Sequence, residues 1–174
     1  MQMIKILIAS VLLLGTSIYS FTITNTQGGN IPLSDYQHKT LLLVNIATGN
    51  QARVGQLAGL QQLQQEYADS LVVIAFPSNS FGNEDLSNEE LLHYCQYNYS
   101  STFLVAAKGS VDSTDMQPIY NWLTKKTENG IMDSRVKGDF QKYIINRDGN
   151  LSGVFSGAVL PTDSLFKAAI TATF

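Results

Sequence analysis

Two uninterrupted apolar runs, Leu41 to Ala47 and Leu71 to Phe76, constrain this chain more than any other feature. Neither alternates with polar residues, so each suits a strand covered on both faces, as in the parallel pairs of α/β layer structures. Between them, Gln56 to Tyr67 places Leu57, Leu60 and Leu63 at helical spacing among Gln61, Gln62, Gln64 and Gln65. Strand, helix and strand then form a right-handed crossover whose two strand ends meet on one edge. Ligands and reactive groups collect at such an edge. The loops there are Thr48 to Val54 and Pro77 to Glu84, with Asn50 at the exposed position of the first.

The flanking segments extend this unit. Phe21 to Leu33 alternates apolar and polar residues on both sides of Gly28-Gly29, which predicts a β-hairpin. Ser87-Asn88-Glu89-Glu90 opens a helix running to about Tyr97, with a short polar acceptor followed by acids at the positive helix end. Phe103 to Ala107 is a short apolar run, and Pro118 opens a helix to about Lys125. Tyr143 to Asn146 and Leu151 to Phe155 flank Asp148-Gly149, a second hairpin signal, and a last helix starts near Thr162-Asp163-Ser164. The order predicts an α/β fold: a single thioredoxin-like domain with a central mixed sheet flanked by helices and an N-terminal β-hairpin. At 174 residues the chain buries one core without staples.

Composition removes several functions. The formal net charge of -3 and the absence of any basic cluster longer than Lys125-Lys126 argue against nucleic acid. The single cysteine, Cys95, excludes an intrachain disulfide, a CxxC pair and a multi-cysteine metal site. His38 and His93 lack metal-ligand spacing, and no cofactor is expected. At the N-terminus, Lys5 precedes the run Ile6 to Gly15, which is too short to span a bilayer and leads into small residues. Residues 1–20 therefore read as a secretory leader, cleaved after Ser17 with Gly15 two places before it, or after Ser20. Residues 21–174 then form the exported domain, periplasmic or secreted, monomeric and without a membrane anchor once the leader is cleaved.

At Leu42-Leu43-Val44-Asn45-Ile46-Ala47 and at Phe76-Pro77-Ser78-Asn79-Ser80-Phe81-Gly82 the chain resembles the glutathione peroxidase family. Members carry a similar strand ending in Asn-Val-Ala-Ser and a similar Phe-Pro-Cys-Asn-Gln-Phe-Gly loop. The likeness continues in order through Ser34-Asp35-Tyr36, Asn88-Glu89-Glu90-Leu91, Tyr94-Cys95, Pro118-Ile119-Tyr120, Phe140-Gln141-Lys142-Tyr143 and Asp148-Gly149. The resemblance implies a catalytic tetrad of peroxidatic cysteine or selenocysteine, glutamine, tryptophan and asparagine. Its four positions here hold Asn50, Glu84, Gly138 and Asp139. Some thiol-dependent members also carry a resolving cysteine close to the register of Cys95.

Peroxide reduction by this route needs a thiolate that attacks one oxygen while neighbouring donors steady the charge developing on the other. Asn50 cannot form a sulfenic acid, Glu84 and Asp139 would oppose a thiolate, and Gly138 offers no indole donor. The expectation is an exported family member that has lost peroxidase chemistry and acts by binding a protein or small molecule. Two other readings remain: a redox role in oxidative stress through Cys95, against which stands its reading as a buried helical cysteine, and a cation site at Glu84 and Asp139, against which stands the usual fate of loop carboxylates, solvation.

Overall fold

The computed structural model describes residues 15–174; the apolar run up to Leu14 lies outside the described residues. An antiparallel hairpin opens the domain, β1 (Thr22–Thr24) and β2 (Asn30–Pro32), turning through Gly28 at φ 84°. A left-handed residue at the turn is what a glycine permits without steric cost. The main sheet follows: β3 (Thr40–Ile46), β4 (Leu71–Pro77), β5 (Leu104–Val105), β6 (Lys142–Ile145) and β7 (Leu151–Phe155). Their spatial order is β5-β4-β3-β6-β7. The pairs β3–β4 and β4–β5 are parallel, whereas β3–β6 and β6–β7 are antiparallel, so the sheet is mixed.

Every residue of β3 and β4 is buried, because helices cover both faces. On one face Leu42, Val44, Val73 and Ala75 pack with Leu57, Leu60 and Leu63 of α1 (Gln56–Glu66), with Leu91 and Cys95 of α2 (Asn88–Tyr99) buried alongside, and with Phe166 and Ile170 of α5 (Ser164–Thr171). On the other, Leu41, Leu43, Ile74 and Phe76 meet Ile119, Tyr120 and Trp122 of α3 (Pro118–Thr124). The Phe76 and Tyr120 rings make an edge contact at 5.5 Å between centroids, a geometry that adds to their burial. A short turn, α4 (Lys126–Asn129), follows α3 and ends at Gly130 in the left-handed region. The sequence carries no periodic signal for it. The short run at Phe103 contributes only two strand residues, and the second helix extends two residues past Tyr97.

Two local signals act as their chemistry requires. Ser87 and Glu90 form a reciprocal capping box at the start of α2. Asp148-Gly149 turns β6 into β7, with Gly149 at φ 81°. Residues assigned to the leader by sequence also lie in the described fold: Ile18–Ser20 forms a 3-10 turn, and Ile18 is buried.

Candidate functional site

The crossover places the carboxyl ends of β3 and β4 side by side, and the two loops leaving them are joined by hydrogen bonds. Gly49 N–H donates to the Asn83 carbonyl at 2.9 Å. A Cβ on Gly49 would lie 2.6 Å from that oxygen, so only glycine permits the approach. Immediately beyond, Glu84 is fully buried. Its Oε2 accepts from Thr48 N–H at 2.7 Å, and its Oε1 accepts from the Thr48 hydroxyl at 2.9 Å and from Leu86 N–H at 3.1 Å. Its own N–H donates to Asn79 Oδ1 at 3.0 Å. A buried carboxylate requires such donors, and here it serves as the clasp between two loops.

A second cluster forms where the chain enters β6. Asp139 is 2% exposed. Its Oδ2 accepts from Asn50 Nδ2 at 2.9 Å and from Asn83 Nδ2 at 2.7 Å. Its Oδ1 is buried without a partner among the described residues. The Asp139 carbonyl accepts from Arg53 Nη1 at 3.0 Å, and Asn45 Nδ2 donates to the Gly138 carbonyl at 3.0 Å. Phe140 completes the turn at φ 65°, with its N–H donating to the Asn45 carbonyl at 2.6 Å. A buried aromatic in the left-handed region carries backbone strain, and the hydrogen bonds around it hold that conformation.

Of the four positions that the resemblance assigns to the tetrad, the fold brings Asn50 and Asp139 into direct contact. Glu84 is held by a separate set of donors. Beside Gly138 lies Arg53, whose Nη1 is 3.5 Å from where a Cβ would stand. The expectation that loop carboxylates are solvated is corrected for both Glu84 and Asp139: abundant amide, hydroxyl and backbone donors allow their burial. Among the described residues, no group of three or more His, Cys, Asp or Glu could hold a metal ion.

Cys95 lies in the core with no exposed surface. Burial, and then the charge of Glu84, push its thiol pKa up to about 12. A thiol so shifted remains protonated at neutral pH and is a weak nucleophile. His93 is exposed on α2 and stacks on Tyr97 at 5.5 Å. Trp122 is a core residue, in edge contact with Phe21.

Several contributors carry no sequence signal. Thr48, Asn79, Asn83 and Arg53 are isolated polar loop residues, which no periodicity distinguishes from solvated neighbours. Lys142 is buried within the sheet, its Nζ donating to Gln56 Oε1 and to the Phe140 carbonyl, each at 2.8 Å. Burial, with Arg53 nearby and Asp163 opposing, lowers its pKa to about 8. Gln56 in turn donates to the Gly157 carbonyl at 2.8 Å, tying α1 to the segment after β7. On the solvent side, Thr48, Gly49, Gly82, Asn83, Leu86 and Tyr94 border an open cleft of about 380 Å³.

This arrangement is that of a thioredoxin-like protein: a mixed central sheet, crossover helix and site loops at the parallel strand ends. A thioredoxin-family thiol:disulfide interchange protein from Chlorobium tepidum shares the fold, with a TM-score of 0.63 and 18% identity over 91% of this chain and 96% of its own. The likeness is more specific to another crystal structure, the apo form of Trgpx, at TM-score 0.70 and 29% identity over 91% and 96% of the two chains. The glutathione peroxidase family model matches residues 18–124. A glutathione peroxidase of Lactococcus lactis is 32% identical over 149 residues, 84% of this chain and 94% of that protein. A glutathione peroxidase-like peroxiredoxin of Schizosaccharomyces pombe is 34% identical over 146 residues, 82% and 90% of the two. The chain belongs to the glutathione peroxidase family.

Proposed function

We propose that this chain is an exported family member without thiol peroxidase activity, acting by binding at the cleft bordered by the two site loops. The observation that carries the reading is the contact between Asn50 and Asp139. At the position that the family resemblance gives to the peroxidatic group stands an amide, and its nitrogen is engaged by a buried carboxylate. An amide nitrogen facing a carboxylate is a donor with no oxidisable atom and no lone pair free for peroxide. The Glu84 carboxylate is likewise committed to holding the loops together.

Cys95 supports the redox alternative poorly, because a thiol without exposed surface meets neither peroxide nor a reductant. The cation alternative is weakened by the separate donor sets of Glu84 and Asp139. Peroxide consumption with thioredoxin or glutathione as reductant tests the proposal. The expected result is turnover no faster than buffer. Turnover that Cys95→Ser abolishes would overturn it in favour of the redox reading, as would dimedone labelling of Cys95 after peroxide.

A further inference from the structure

The charges of this chain are unevenly divided along it. From Val54 to Ala107 there is no lysine or arginine, although the stretch holds six acidic residues, so the rest of the chain carries a net +3. One surface built from that stretch is also aromatic. Asp85 and Leu86 lead into α2, and on the helix Glu89, His93 and Tyr97 follow at intervals of four, which puts them on one face. All three are exposed. The His93 and Tyr97 rings stack at 5.5 Å between centroids and 10° between planes, so Tyr97 is held in place although it is 78% exposed.

With Leu86 and Tyr94, this pair borders an open groove of about 560 Å³. Leu86 and Tyr94 also border the cleft between the site loops, so groove and cleft are continuous. Carboxylates rim both parts, Asp85 the cleft and Glu89 and Glu90 the groove. Lys108, the first cation after the acidic stretch, is tied through Nζ to the Leu86 carbonyl at 2.7 Å and acts on Glu90. The ion pairs Arg135–Asp112 and Lys167–Glu66 lie elsewhere, and neither Asp85 nor Glu89 has an ion-pair partner among the described residues.

A guanidinium meets both features of this surface at once, because it stacks on an aromatic face and donates in a fork to a carboxylate. An ammonium is a point charge that stacks less well, and an anionic partner is repelled. The same charges turn away nucleic acid and anionic lipid. We infer that the α2 groove takes a segment of a partner protein that carries arginines among apolar side chains. The inference rests on reading the adjoining cleft as the binding site, and it names the chemistry of what binds there.

Fluorescence anisotropy with the full chain tests it, using three fluorescein-labelled peptides in which phenylalanine alternates with arginine, with lysine or with glutamate. The arginine peptide should bind saturably, the lysine peptide several-fold more weakly, and the glutamate peptide not at all. Tyr97→Ala should weaken the arginine peptide about two- to fivefold. Glu89→Gln with Asp85→Asn should weaken it several-fold and flatten its salt dependence. These positions are exposed, so the variants keep the core, and Asp148→Asn on the distant β6–β7 turn should change nothing. Equal binding of the arginine and glutamate peptides would overturn the inference. If Asp85→Asn weakened the arginine peptide while Tyr97→Ala and Glu89→Gln did not, the cleft would stand as a binding site and the groove would fall. Binding of none of the three would overturn groove and cleft together as peptide sites. A dimer of the chain alone in sedimentation, dissolved by Tyr97→Ala, would assign the groove to a second copy and overturn the partner.

Discussion

The interior of the sheet and the edge where its strands end are both buried, yet they are held by opposite kinds of interaction. Between β3 and β4, cohesion comes from apolar area and close packing, which are non-directional and indifferent to which aliphatic atom supplies them. At the strand ends, Glu84 and Asp139 are sequestered by donors placed at 2.7 to 3.1 Å, where direction and atom identity decide everything. The first region tolerates a change of chemistry poorly and a volume-conserving swap well. The second tolerates a change of volume at its solvent side and the loss of a donor where a second one remains, as at Asp139, but hardly any change of acceptor at Glu84.

Substitutions can break this contrast. The largest effect is expected for Phe76→Ala, which empties space against Tyr120 and should cost about 3–5 kcal/mol in urea unfolding. Next comes Glu84→Gln, nearly isosteric: its amide nitrogen must face Thr48 or Leu86 N–H, so a loss of about 1–3 kcal/mol is expected with no change of volume. A matched pair in the core, Leu43→Met, should fall below about 1.5 kcal/mol. If Glu84→Gln proved as harmless as that swap, the directional account of the strand ends would fail.

Lys142 sharpens the comparison through pH. Its folded pKa of about 8 lies below the ordinary lysine value, so between the two the unfolded chain holds the extra proton. Stability from this group is therefore present at high pH and lost as pH falls through 8. Raising pH from 7 to 9 should add roughly 1 kcal/mol, and Lys142→Met should flatten the profile. From about pH 9 the raised thiol pKa of Cys95 works the other way: the unfolded chain gives up the thiol proton first, so stability from that group is lost as pH rises and offsets the remaining Lys142 gain. The smallest stability effect, about 1 kcal/mol or less, is expected for Asn50→Cys, which forfeits one amide hydrogen bond to Asp139. That variant should still show no peroxide turnover, measured with either reductant.

The same contrast explains what the sequence made legible. The apolar runs, the α1 leucine stripe, the Ser87–Glu90 cap and the Asp148-Gly149 turn each express a local rule with a period or a fixed offset, and each appears where expected. Asn50, Glu84, Gly138 and Asp139 could be singled out because motifs frame them, and the structure places Asn50 against Asp139. Their partners were not. Thr48 and Asn83 matter through contacts made 36 and 56 residues away in sequence, and nothing in their neighbours marks them. Burial of Lys142 and Gln56 was also invisible, since each satisfies the other only after β6 docks beside β3 over α1.

The guanidinium of Arg53 beside Gly138 has a consequence for what that position can hold. Any side chain added at Gly138 meets Arg53 first, and Arg53 is itself anchored to the Asp139 carbonyl. At 3.5 Å that is ordinary contact, to which the end of a long side chain yields, so resistance to a side chain at Gly138 lies in its own backbone, held at φ 155° where residues with a Cβ are rarely found. The position is thus closed by conformation, while within 4 Å of that Cβ only Arg53 bounds the space among the described residues.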